Sequence, residues 1–436
     1  MKITTRKFSL AMLATAVTLI AGAGPAWSQD GDIARLEARV AELEALVHQL
    51  IEERGTTAAV MPAPAPEPAP AAEAESGASS SYKFGGYVKL DGIWSDYGAG
   101  DLAPGSLGSQ FYVPGTIPVG DSSASEGPDA DFQARETRIF FRSDHVTDAG
   151  NKFGTYIEMD FFVNPDGNER VSNSYNSRLR HAFLKYNNWT FGQTWSTFQD
   201  VGALPENLDF IGPSEGTTFI RQAQIRYTSG PWEFAVENPE TTITPFGGGA
   251  RIVTDDGAIP DLVGRYTFTL DDGYVKAAAL FRSLDYDIAG ESDSETAFGF
   301  SLSGKHSIGR DDIRWMATYG SGTGRYLGLN TANGAVLDAA GNLEAIDEFG
   351  GFVSLRHFWS DQWRSNFTAS YLSIDNDLLL TGLGVTKDVY SLHANLLYEP
   401  VPKLLVGGEI IYAEREVESG LDGDMTRFML SAKYGF

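Results

Sequence analysis

The sequence predicts an all-β transmembrane barrel of about 16 antiparallel strands, preceded by an α-helical coiled coil and a Pro/Ala-rich linker. From Tyr82 to Phe436, apolar and polar residues alternate with a period of two in segments of about ten residues, the length a tilted strand needs to cross a bilayer. The connections between these segments alternate long and short, as in a barrel with outer loops at one rim and tight periplasmic turns at the other. Beyond the N-terminus there is no apolar run of about 18 residues, and the mean hydropathy is −0.19, so the sequence offers no transmembrane helix.

Residues 1–28 read as a secretory signal peptide. Lys2, Arg6 and Lys7 precede an apolar run from Phe8, and the small residues Ala26 and Ser28 mark a cleavage site. Cleavage there removes three cations and no acids, taking the formal charge from −25 to −28. Such acidity repels nucleic acid, and no nucleic-acid motif is present. The chain has no Cys, so no disulfide is needed.

Residues 29–54 carry the seam of a coiled coil. Ile33, Leu36, Val40, Leu43, Val47 and Leu50 are spaced three, four, three, four and three apart. Arg39 and Glu44 then fall at g and e positions, where an interchain ion pair fits. The alternative is one amphipathic helix lying on a surface. β-branched residues at a with Leu at d favour two strands, weakly in so short a seam. Residues 55–81, rich in Pro and Ala, build no core and form an extended spacer.

The barrel occupies residues 82–436. "YKFGGYVKLDGIW", "NKFGTYIEMDFF" and "TAFGFSLSGK" each set an apolar face against a polar one. Short turns are expected at 187–188, 229–231, 271–273, 360–362 and 400–403. Long connections are expected after Trp94, Phe162, Trp195, Asn238, Arg282, Tyr319, Leu372 and Tyr412. A soluble β-sandwich or propeller is the alternative, but charges recur on the polar face strand after strand, too many for a filled core. The last strand, "RFMLSAKYGF", closes the barrel, and Phe436 resembles the terminal signal read by the barrel assembly machinery.

With the apolar face toward outer-membrane lipid and lipopolysaccharide, the polar face lines the lumen. It places Lys89, Arg138, Arg142, Arg226, Arg265, Lys276, Arg282, Arg364 and Lys433 inside, with Arg178 and Arg180 sharing one face whose direction the pattern leaves open. Asp91, Glu158, Asp160, Glu233, Glu237 and Glu409 also point inward. These cations either pair across strands and fill the barrel or, as a set, make a wall that favours small anionic solutes.

The loop after the fifth strand carries Asp200, Glu206, Asp209 and Glu215. It is expected to fold inward as a constriction opposing the basic wall, the alternative being an ordinary surface loop. The long Gly/Ser/Asp-rich stretch after Trp94 reads as extracellular, without EF-hand spacing for a metal. Among six His and no G-x-S-x-G or H-E-x-x-H, nothing marks a catalytic centre or a cofactor. His393 reads as a wall residue.

"FGGYVKLDGIW", "RETRIFFRSD" and "RLRHAFLKYNNWTFGQTWSTF", with the coiled coil and Pro/Ala spacer, resemble the DcaP-like outer-membrane porins over nearly the whole mature chain. The resemblance implies a homotrimer of sixteen-stranded barrels with a periplasmic coiled coil, in the outer membrane of a Gram-negative bacterium. It implies passive uptake of dicarboxylates and similar small anions, with Arg138, Arg142 and the arginines of "RLRHAF" lining the channel. The rival reading is a structural tether that joins the membrane to the peptidoglycan through the coiled coil, with the barrel as its anchor.

Overall fold

The computed structural model describes residues 78–120, 127–163 and 167–436. The signal peptide, the coiled-coil seam and nearly all of the linker lie outside the described residues. Sixteen antiparallel strands close on themselves. They are β1 (Ser79–Tyr97), β2 in two pieces (Asp129–Gln133 and Arg138–Val146), β3 (Lys152–Asp160) and β4 (Arg178–Tyr186). Next come β5 (Trp189–Trp195), β6 (Arg221–Ser229), β7 (Trp232–Glu237) and β8 (Asp261–Leu270). The circuit continues with β9 (Gly273–Ile288), β10 (Glu291–Ile308), β11 (Asp311–Ser321) and β12 (Asp347–Phe358). It ends with β13 (Trp363–Asp375), β14 (Thr386–Val401), β15 (Leu404–Val417) and β16 (Asp422–Gly435). β16 pairs with β1 from Tyr87↔Gly435 to Tyr97↔Met425, so no sheet edge is left between first and last strands.

The two faces separate as the alternation requires. On β1, Phe84, Val88 and Leu90 are 64, 54 and 54% exposed, whereas Lys89, Asp91 and Ile93 are 3, 1 and 1% exposed. The same outward apolar row continues through Phe234, Phe300, Val353 and Phe428 around the barrel. An apolar band of this extent belongs in lipid. Aromatic pairs edge it at the short-turn rim: Trp189 with Tyr227 at 4.8 Å, Trp232 with Tyr266 at 4.6 Å and Trp363 with Tyr398 at 4.4 Å between ring centroids.

Two expected long loops are not loops. β9 and β10 run past Arg282 and join through Ala289 and Gly290 alone, both at positive φ (57° and 91°), the conformation a two-residue hairpin turn demands. β15 likewise runs past Tyr412 to Val417, leaving residues 418–421 as the connection. Polar side chains in these extensions read as loop, yet their ladder is continuous from Ile288↔Glu291 downward.

The loop after β1, expected outside, is also different. Its short 3₁₀ turns, Leu107–Ser109 and Pro114–Thr116, bracket Tyr112, which is fully buried. Ile93, Tyr97, Ile117, Ile411 and Met425 pack around it, so Gly/Ser-rich composition conceals an apolar anchor.

Candidate functional site

The loop between β5 and β6, residues 196–220, forms an inner ring. Its first half meets successive strands in order. The Thr197 N–H donates to Glu237 of β7 (2.7 Å), and the Gln199 carbonyl accepts from Arg265 of β8 (2.7 Å). Asp200 accepts from Lys276 of β9 (2.6 Å) and from Ser303 of β10 (2.9 Å). The Leu204 carbonyl accepts from Arg314 of β11 at 2.5 Å, and Glu206 from Arg356 of β12 at 3.4 Å and Arg364 of β13 at 2.6 and 2.9 Å. Asn395 of β14 donates to the Glu206 carbonyl (2.9 Å), and Asn207 and the Leu208 N–H donate to Glu409 of β15. Asp209 lies 3.7 Å from Arg427 of β16, and Lys89 of β1 donates to the Leu208 carbonyl (2.6 Å).

The second half returns along the same wall. Glu215 accepts from Ser391 of β14, the Gly216 N–H donates to Ser370 of β13 (3.1 Å), and Thr218 meets Thr318 of β11. Gly216 is required for this approach: a Cβ there would stand 2.2 Å from the Gly351 carbonyl oxygen. The buried Tyr112 adds a lid, its N–H donating to Asp209 (2.8 Å) and its carbonyl accepting from Ser214 (3.1 Å).

The ring sorts the sequence-predicted cations into two groups. Lys89, Arg265, Lys276 and Arg364 hold the loop. Lys89 also pairs with Glu136 and Asp91, and Arg265 with Glu233. Arg282, 1% exposed, is spent on Asp261 (3.1 Å) and on carbonyls of Glu240, Gly322 and Thr323. Arg226 bonds Gln224 and the Trp195 carbonyl and lies 3.7 Å from Glu233.

Arg138, Arg178 and Arg180 instead stand on β2 and β4, outside the hydrogen-bonded course of the ring. A bulge between Glu158 and Met159 against β4 decides the direction the pattern left open: Arg178, Arg180 and His181 all turn inward. Arg178 grips Asp160 with two hydrogen bonds (2.9 and 2.8 Å), and Arg180 bridges Glu158 and Asp160 (both 2.7 Å). Arg138 sits 3.5 Å from Glu158 and 5.1 Å from the Tyr87 ring centroid. Arg142 lies nearer the short-turn rim, half exposed and paired with Asp144 at 2.6 Å. Sequence reading missed Arg221, which lays its guanidinium 4.8 Å from the centroid of Trp195. Its place at the junction of loop and strand hid it, because alternation assigns no face there. Lys433 packs 5.4 Å from the Tyr87 centroid.

Electrostatics within the ring differ by residue. Burial works to raise the Glu206 carboxyl, but hydrogen bonds and charge from Arg364, with Arg356 behind, hold it below the usual carboxylate range. Burial pushes Asp209 and Glu215 up, because Arg427 beside Asp209 and the hydrogen bond from Ser391 to Glu215 do not fully offset the loss of solvent. Ser391, His393 and Glu409 line up as a hydroxyl–imidazole–carboxylate series (2.9 and 3.5 Å). Ser391 is 0% exposed and its hydroxyl hydrogen is directed to Glu215, so the series fixes the loop and presents no nucleophile to a solute.

A closed sixteen-stranded barrel with an apolar outer band, an aromatic rim and an inward loop after β5 is a porin-type channel of the Gram-negative outer membrane. The chain belongs to the DcaP outer membrane protein family, whose model matches residues 73–436. Among solved structures, the outer membrane channel DcaP of Acinetobacter baumannii is 23% identical with a TM-score of 0.64, covering 82% of this chain and 97% of that one. An anion-selective porin from Comamonas acidovorans aligns at 10% identity and a TM-score of 0.50, over 82% of this chain and all of that one. OmpF of Salmonella typhi, in complex with daunomycin, aligns at 13% identity and a TM-score of 0.50, over 81% of this chain and 97% of that one. Curated protein sequences give no match.

Proposed function

We propose that this porin is a homotrimeric passive channel for small hydrophilic anions, dicarboxylates above all. The observation that carries the reading is the separation of cations described above. The ring takes up Lys89, Arg265, Lys276, Arg314, Arg356 and Arg364, while Arg138, Arg178, Arg180 and Arg221 cluster on the remaining arc. Fixed guanidinium groups beside a passage attract carboxylates weakly enough for release. The acids Asp200, Glu206, Asp209 and Glu215 act in this reading as clamps on the constriction, with little left over to oppose the wall. The trimer rests on the family resemblance, which overrides the weak two-strand preference of the coiled-coil seam.

A second reading has its own observation. Both the β1–β2 and β5–β6 loops fold inside, which suits a largely filled barrel that anchors a periplasmic tether. Purified protein in a planar bilayer under a salt gradient separates the two. A reversal potential of anionic sign is expected. A cationic sign overturns the anion channel, and absence of conductance favours the tether, for which deletion of residues 29–81 would damage the envelope with permeability intact.

A further inference from the structure

Independently of what the channel conducts, we propose that the lipid-facing wall between β7 and β10 carries a trough that binds an acyl chain of a phospholipid from the periplasmic leaflet. The observation is a gap in a registered row. Across neighbouring strands the outward partners run Tyr227, Phe234, Gly264, Ala279, Phe300 and Tyr319, aromatic on both flanks and small in the middle. Gly264 and Ala279 thus make a floor between Phe234 and Phe300. These two are 52 and 57% exposed, so their rings project into the lipid layer as walls. The space between them has a volume of about 670 Å³ and an almost wholly apolar lining.

Gly264 shows that the gap is not imposed from inside the protein. Among the described residues, a Cβ there would meet only the ring edge of Phe234, at 3.6 Å, an ordinary contact. Glycine inside a strand weakens it, and its use marks a place where another group comes close to the backbone. On the side away from the short turns, the directly paired Phe281 and Phe298 close the trough. Toward the short-turn rim, Ala277 continues the floor beside Tyr266, whose ring meets Trp232 in the aromatic belt. From Tyr266 to Leu262, the partner of Phe281, is about 13 Å of strand, within one leaflet's half of a hydrocarbon core about 30 Å thick. The mouth therefore lies at the periplasmic interface and the stop lies near the midplane. That placement selects a phospholipid of the inner leaflet over lipopolysaccharide of the outer one. A flexible chain lying on Gly264 gains ring contacts on both sides, which a flat wall does not offer.

The test uses the full-length protein in mild detergent, supplied with dioleoylphosphatidylethanolamine and with lipopolysaccharide, its bound lipid counted by native mass spectrometry. The parent should keep one phospholipid per protomer through washes that strip the rest. Gly264→Phe and Ala279→Phe fill the floor, and each should lower that occupancy about fivefold or more while keeping the parent's far-ultraviolet circular dichroism. Equal occupancy in parent and filled variants, or no lipid retained by the parent, overturns the trough. Lipopolysaccharide retained in place of phospholipid overturns the assignment to the periplasmic leaflet. A smaller oligomer in the filled variants, with no lipid on the parent, gives the face to a second copy of the chain and overturns the lipid site. Should Gly264→Phe not assemble, Ala279→Phe decides alone, because its side chain already points outward.

Discussion

Glu206 and Arg364 are joined side by side, the guanidinium Nε and Nη2 donating to the two carboxylate oxygens at 2.9 and 2.6 Å. The pair fastens the inward loop to β13 midway along its course, where Arg356 of β12 also reaches Glu206. Arg364 retains Glu399 at 2.9 Å, so losing Glu206 does not strand a bare charge. Glu206→Gln should therefore cost about 1–3 kcal/mol, read as a lower urea midpoint, and single-channel current should become noisier as the loop loosens. An unchanged midpoint and quiet current would show that the other clamps hold the loop alone.

The pH dependence follows from opposite shifts in one loop. The folded Glu206 value is depressed, so its contribution should be complete above the ordinary glutamate range near about 4.3 and fade as pH falls through the lower folded value. Glu215 is raised by burial, so its ionised form is a cost to the folded state at neutral pH. Glu215→Gln should be at least as stable as the parent at neutral pH, the difference shrinking as pH falls through the raised value. Urea midpoints measured against pH for the two variants should diverge in these directions; parallel curves would contradict the assignment.

Barrel class, strand number and the inward loop were legible because a period of two and alternating connection lengths are local signals. Register and side-chain partners are not local. The bulge that turns both Arg180 and His181 inward shifts the facing rule by one residue, and the break between Gln133 and Arg138 interrupts β2 without a Pro to announce it. Alternation singles out cations on the polar strand face, but which of them the loop would claim depends on contacts such as Lys89 to the Leu208 carbonyl, 119 residues apart. Polar hairpin extensions beyond Arg282 and the buried Tyr112 each reversed the usual meaning of composition.

Gly216 tests how closely the returning half of the loop must lie on the wall. A methyl group there meets the Gly351 carbonyl oxygen at 2.2 Å and Ser370 Oγ at 2.5 Å, both closer than contact allows. Gly216→Ala should destabilise the protein by about 1–3 kcal/mol and change conductance, because the loop must lift to make room. Retention of both the parental urea midpoint and current would mean that the wall yields instead.

The two groups of cations should respond differently to loss of charge. Arg138 and Arg178 lie on the arc outside the ring, each about a fifth exposed, and their loss should shift the reversal potential toward cations. Lys276 has similar exposure but holds Asp200 at 2.6 Å, so Lys276→Met should act on the loop, altering current noise and the urea midpoint more than the sign of selectivity. The comparison is made under one salt gradient with Arg138→Gln combined with Arg178→Gln against Lys276→Met. If both lower anion preference equally, selectivity belongs to the summed field of the barrel. If only the arginine pair does so, the field is local to the arc, and the clamps have been removed from the pore's electrostatics by the acids they bind.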